Sequence, residues 1–160
     1  CKMLKKIIIL FLLGLTTSCG YEAQYSKKNF YLHNNFSIAS TEFSGDRITN
    51  VSIKNILRNY SNIKREQSFT LNFKTESSTE IISKNSKGDP SRYKIRIDVQ
   101  VKAIRNEDEK QRDMIFTKDY DYNNNGDVSA LKVTEREIKI SMAKTITDEL
   151  VTKLINFNDY

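Results

Sequence analysis

Tyr93-Lys94-Ile95-Arg96-Ile97-Asp98-Val99-Gln100-Val101-Lys102 is the stretch that decides the fold. Tyr93, Ile95, Ile97, Val99 and Val101 fall on one side of it, and Lys94, Arg96, Asp98, Gln100 and Lys102 on the other. Successive side chains of a strand point to opposite faces, so strict alternation predicts a strand with one face buried and one wet. Upstream, Phe69, Leu71 and Phe73 alternate with Thr70, Asn72 and Lys74, and Ile81 stays in phase. The turn cluster Asn85-Ser86-Lys87-Gly88-Asp89-Pro90, with the only proline, separates the two runs. They therefore pair as an antiparallel hairpin. Downstream, the charged stretch Arg105 to Asp113 forms the next turn. A third strand of the meander follows, with Phe116, Lys118, Tyr120 and Tyr122 on one face. A lysine on an otherwise apolar face sets that strand nearer an edge.

The flanks are helical. Ser44-Gly45-Asp46 reads as a break followed by a helix N-cap. Ile48, Val51, Ile53, Ile56, Leu57 and Tyr60 recur at roughly helical spacing and predict a helix from about Asp46 to Tyr60. After Asn123-Asn124-Asn125-Gly126-Asp127 ends the sheet, Leu131, Ile138, Met142, Ile146, Leu150 and Leu154 recur mostly every fourth residue. Ala143, Val151 and Ile155 widen the stripe, and the pattern predicts a long amphipathic helix over roughly 128–156. Thr134 and Glu137 have capping-box spacing but fall inside that helix. Phe30 to Ile38 reads as a first strand. The expected fold is α+β: a two-layer sandwich with two helices packed on one face of a four-stranded mixed sheet. The pattern leaves the strand order open, above all where the first strand joins.

The N-terminus carries an address. Lys5 and Lys6 precede a nine-residue apolar run, Ile7 to Leu15, followed by Thr16-Thr17-Ser18-Cys19-Gly20. A basic start, a short apolar stretch and small residues describe a secretory signal. The run is too short for a bilayer, which takes roughly 20 apolar residues. Cys19 marks a lipoprotein signal, cleaved before Cys19, with acyl chains on the thiol and the new amino group. Leu15 lies one residue earlier than the usual lipoprotein box places it, and Thr16 holds the leucine position. The alternative is an ordinary or uncleaved signal with an incidental cysteine. Met3 is the expected natural start. Residues 1–18 form the leader, 19–29 a lipidated tether and 30–160 a single domain in this reading.

Composition narrows the function. Cys1 lies in the leader and Cys19 would carry lipid, so the mature domain can build no disulfide and no thiolate metal site. Of the 26 basic residues, three (Lys2, Lys5 and Lys6) leave with the leader; 23 then face 20 acidic ones, and the net charge falls from +6 to +3. The charges are interspersed, without the concentrated basic face of a nucleic-acid binder. The one histidine, His33, reads as structural. No His/Cys/Asp cluster has metal spacing, no Gly-rich phosphate loop appears, and no serine sits in a G-x-S-x-G turn. Glu107-Asp108-Glu109 reads as a charged turn, and Asp119 and Asp121 as solvated. Asp127 lies in a loop that lacks the bidentate glutamate of a calcium site. The sequence predicts no enzyme, no cofactor and no metal.

One end of the sheet gathers positive charge. In a meander, the turn 85–92 and the loop 123–130 emerge together, which collects Lys84, Lys87, Arg92 and Lys132 beside a helix N-terminus with free amide donors. Such a set suits phosphate or carboxylate groups. The alternative is that lysines simply keep a hairpin tip soluble.

The assembled pattern resembles the LPS-assembly lipoprotein family, LptE. The resembling pieces are Ser18-Cys19-Gly20-Tyr21, the helix ending in Asn55-Ile56-Leu57, and the hairpin Ser68 to Arg105 around Tyr93-x-Ile95-x-Ile97. Tyr120-x-Tyr122 and the final helix through Thr134-Glu135 to Leu150-Val151-x-x-Leu154 complete them. The resemblance implies a non-enzymatic, palmitate-bearing lipoprotein on the periplasmic side of the outer membrane. It implies a plug in the β-barrel LPS translocon subunit (LptD-like) that assists the barrel's assembly and binds lipopolysaccharide during delivery to the outer leaflet. Gly20 after the lipidated cysteine fits outer-membrane sorting. Lys84, Lys87, Arg92 and Lys132 are the candidate lipopolysaccharide contacts on the geometric argument alone. A second reading is an auxiliary lipoprotein of an ABC-type lipid transport system.

Overall fold

The computed structural model describes residues 35–61 and 64–158. Cys19, His33 and the first part of the expected opening strand lie outside the described residues. The elements run β1 (Phe36–Gly45), α1 (Arg47–Ser61), β2 (Gln67–Lys84), β3 (Pro90–Arg105), β4 (Gln111–Asn123) and α2 (Val128–Ile155). The sheet order is β1-β2-β3-β4, with β1 parallel to β2 and the other pairs antiparallel. The sheet is thus mixed, both helices lie over one face, and the fold is the expected two-layer α+β sandwich. β4 is an edge strand, as Lys118 indicated.

The alternation in β3 buries Ile95, Ile97, Val99, Val101 and Ala103 beneath the helices. Phe69, Leu71 and Phe73 join them from β2, Met114, Phe116 and Tyr122 from β4. The helices contribute Ile53, Leu57 and Tyr60 from α1, and Met142, Ala143, Ile146, Leu150, Val151 and Leu154 from α2. Phe157, just past α2, packs its ring 4.9 Å from that of Phe69, with the Arg105 and Arg112 guanidiniums over its face at 5.4 and 5.0 Å. Phe36 stacks on Tyr60 at 5.3 Å and meets Phe69 edge-on. This aromatic cluster closes the end of the sheet where β1 and β2 begin. Lys118 lies on the inner face because its ammonium is matched by Glu149 of α2.

Four positions depart from the periodicity. Ile81, in phase with Phe69, Leu71 and Phe73, is 49% exposed at the far end of β2, where the register with β3 becomes irregular. Val51 is 50% exposed, because it sits about 200° around the helix from the buried Ile53. Ile155 is likewise exposed, beyond the edge of the α2 stripe. Tyr120 shares the inner face of β4 with Phe116 and Tyr122 yet is 53% exposed. α1 begins level with Thr75, so it does not extend over the far half of the sheet. β1 also continues past Ile38 to Gly45, with an irregular register between Ile38 and Ser40.

The turn from β1 into α1 is the tightest point of the fold. Gly45 has φ +96°, and a Cβ there would lie 1.8 Å from the Thr75 carbonyl oxygen. That approach lets the Asp46 amide donate to the same carbonyl at 3.1 Å. Asp46 is the N-cap of α1: its Oδ1 accepts from the Thr49 amide at 2.8 Å and the Thr49 hydroxyl at 2.7 Å. Its Oδ2 accepts from Ser77 of β2 at 2.9 Å and from Lys139 of α2 at 3.0 Å. Lys139 also donates to Ser77 at 2.8 Å, and Thr75 donates to Asn50 at 2.8 Å. Burial opposes the Asp46 charge, but the hydrogen bonds from Thr49, Lys139 and Ser77 outweigh it and hold the carboxyl at about 2, below its usual 3.8.

Two predictions follow from this corner. Gly45→Ala places a methyl group against backbone at positive φ, and should cost about 3 kcal/mol or more in denaturant unfolding. A carboxyl depressed on folding stabilises above its unfolded pKa, and that stability is lost as pH falls from about 4 towards 2. Asp46→Asn should therefore lower stability at pH 7 by about 2 kcal/mol, and its difference from the natural chain should narrow across that window in pH-dependent unfolding.

Candidate functional site

The candidate site is the end of the sheet opposite the aromatic cluster. An Asx turn shapes its hairpin. The Asn85 side chain accepts from the Lys87 and Asp89 amides, both at 2.9 Å, and Gly88 takes φ +88°. The loop after β4 is tied to the same end, as the meander required. The Asn124 amide donates to the Ser91 carbonyl at 2.9 Å, and its side-chain amide to the Pro90 carbonyl at 2.8 Å. The start of α2 is anchored to the sheet by Tyr122, whose hydroxyl donates to Glu135. Burial first, and then the Glu135 carboxylate, push the Tyr122 pKa well above its ordinary value. Tyr93 stacks on Tyr122 at 5.5 Å.

The four predicted contact residues do not share one environment. Lys84 ends β2 and Lys87 occupies the turn; both are exposed. Lys132 is exposed on the second turn of α2. Among the described residues, none of these three ammonium groups has an ion-pair partner. Arg92 differs. It stands on the outer face of β3, 3.4 Å from the Asp121 carboxylate of β4, so part of its charge is already answered.

The helix N-terminus also differs from expectation. Asp127 is its N-cap, and its carboxylate accepts from the Ser129 and Ala130 amides at 2.8 and 3.3 Å. Those donors are taken, and the cap adds a negative charge beside the lysines. The positive character of the tip thus rests on Lys84, Lys87 and Lys132. Asp121 and Glu135 were beyond sequence reasoning, because only strand register and helix docking bring them to their partners. The Asn-Gly-Asp signal before the helix did hold the cap.

Charged residues elsewhere on the sheet face one another. Arg96 pairs with Asp98 at 3.1 Å, Thr117 donates to Asp98 at 2.6 Å, and Asp119 stands opposite Arg96. Glu107 accepts from the Ser68 amide and hydroxyl, both at 2.8 Å, while Asp108 pairs with Arg105 within the 106–110 turn. Glu107 and Asp108 belong to a charged turn, as read from the sequence, whereas Asp121, expected to be solvated, is held by Arg92. Among the described residues no group of three or more His, Cys, Asp or Glu side chains is placed to hold a metal ion, and no helix is long and apolar enough to cross a membrane.

Two helices over one face of a mixed sheet, with a lysine-bearing tip, define a small two-layer α+β module. The family model for LptE, lipopolysaccharide-assembly, matches residues 34–154, and the chain belongs to that family. The family is a non-enzymatic lipoprotein family involved in lipopolysaccharide assembly. In structure the chain is similar to rare lipoprotein B from Shewanella oneidensis, with a TM-score of 0.53 and 13% identity over 74% of this chain and 98% of that one. It is also similar to a putative lipoprotein from Caulobacter crescentus, with a TM-score of 0.50 and 10% identity over 75% of this chain and 89% of that one. At such identities the likeness is one of fold. No curated protein matches the chain in sequence.

Proposed function

We propose that the chain is a lipid-anchored subunit of the lipopolysaccharide translocon, held through acylated Cys19 on the periplasmic side of the outer membrane. In this reading residues 1–18 are removed, 19–29 tether the domain, and the domain plugs the lumen of an LptD-like barrel and assists its assembly. The lysine tip then contacts lipopolysaccharide on its way to the outer leaflet. Family membership supports the part in lipopolysaccharide assembly.

The observation that carries the contact role is the unneutralised charge of Lys84, Lys87 and Lys132 at one end of a fold whose other sheet cations mostly face carboxylates. Phosphate groups would supply the missing counter-charge. The polar outer face of the sheet suits a wet barrel lumen.

A tagged full-length chain, purified from outer membranes, should bring a large β-barrel protein with it. Recovery of an inner-membrane transporter instead would favour the auxiliary-lipoprotein reading. Lys84→Glu with Lys87→Glu should weaken lipopolysaccharide binding by about 2 kcal/mol, or roughly thirty-fold, since each basic side chain near an anionic lipid surface contributes about 1 kcal/mol. Unchanged binding would remove the tip from the function.

A further inference from the structure

A groove of about 690 Å³ runs between α1 and α2, lined among the described residues by the two helices. Its size lies within the range of ligand-binding clefts. The floor is apolar: Ile48, Val51 and Ile56 from α1 face Ile140 from α2. Val51 and Ile140 are 50% and 42% exposed, so apolar surface here is left uncovered. Cations bound the floor. Arg47 stands at the start of α1, and Arg136 and Lys144 lie one turn to either side of Ile140. Among the described residues no carboxylate lines the groove, and none of these three cations has an ion-pair partner.

Lys118 pairs with Glu149, Lys139 with Asp46, and Lys153 lies over the Phe116 ring at 4.9 Å. Those side chains are engaged; what sets the groove apart from the other exposed helix cations is that its three unpaired cations surround a hydrophobic floor. We propose that the groove binds one phosphorylated acyl lipid, its chain along the isoleucine and valine floor and its phosphate held by Arg136 and Lys144 with Arg47.

Three alternatives fit the chemistry less well. A free phosphate would leave the floor wet. An uncharged lipid would draw cations out of water without counter-charge. An extended acidic peptide would bring backbone amides and carbonyls that the apolar floor cannot satisfy, and a helical one, which satisfies its own, is the competing outcome of the test below. The site is separate from the lysine tip and does not rest on the translocon reading.

The test uses the full chain in nonionic detergent with a phosphatidic acid probe carrying a photoactivatable group on its acyl chain, followed by mass-spectrometric mapping. Adducts should concentrate on residues 48–56 and around Ile140. Arg136→Gln with Lys144→Gln should reduce labelling about thirty-fold, and the matching diacylglycerol probe without phosphate should label at least as poorly. Excess inorganic phosphate should not compete. Both replaced side chains are exposed, and Val51→Glu offers a second variant that should repel the phosphate from an exposed position. Adducts scattered or centred on the sheet tip would overturn the proposal. So would equal labelling by diacylglycerol, or capture of a protein chain at Lys144 in place of lipid. Lys84→Glu with Lys87→Glu should leave groove labelling unchanged, and a loss there would sink the separate site. Failure to recover a barrel protein bears on the translocon reading and leaves this labelling as it is.

Discussion

The Asp46 carboxylate is the point on which the arrangement of layers depends. Four donors converge on it: the amide and hydroxyl of Thr49 in α1, Ser77 in β2 and Lys139 in α2. Hydrophobic burial is non-directional and would tolerate either helix sliding along the sheet. A charge with its lone pairs assigned to three elements does not tolerate it, because any slip leaves a poorly solvated ion unpaired. Gly45 is the geometric condition for this hub, since a side chain there would collide with the Thr75 carbonyl. The height at which α1 begins, and therefore how much of the sheet it covers, is set by these two adjacent residues.

Much of this could be read from the order of residues, and the rest could not for identifiable reasons. β3 and α2 declare themselves because their burial follows one period over many residues. Asp46 was legible as a cap, since capping is local chemistry. Its partners Ser77 and Lys139 were not, because nothing in the sequence marks a lysine that will turn inward. β1 was read as ending at Ile38 and runs on to Gly45, because its register irregularity near Ala39 breaks the alternation on which a strand reading relies. At the tip, spacing foretold which turns meet, but cross-strand register decided that Arg92 stands by Asp121. Local capping by Asp127 then decided that the helix amides were already occupied.

The two faces of the sheet divide the work. The inner face carries the stability: apolar strands, an aromatic cluster around Phe157 and the matched pair Lys118–Glu149. The outer face is polar and cross-paired, with Arg92, Arg96, Asp98 and Asp121 engaged with one another or with neighbours. The family to which the chain belongs takes part in lipopolysaccharide assembly, and no catalytic constellation is needed for that.

The parallel pairing of β1 with β2 sets Phe36 beside Gln67, at the foot of the longest strand, while Lys84 and Lys87 crown its other extremity. The 18 residues of β2 extend for roughly 50 Å at the usual rise of a twisted strand. β2 is thus a stiff mast, with Phe36 beside its base and the lysines at the masthead. Strand length acts as a ruler: it fixes the distance between the aromatic cluster and the charged end of the sheet, whatever the loops at either end do.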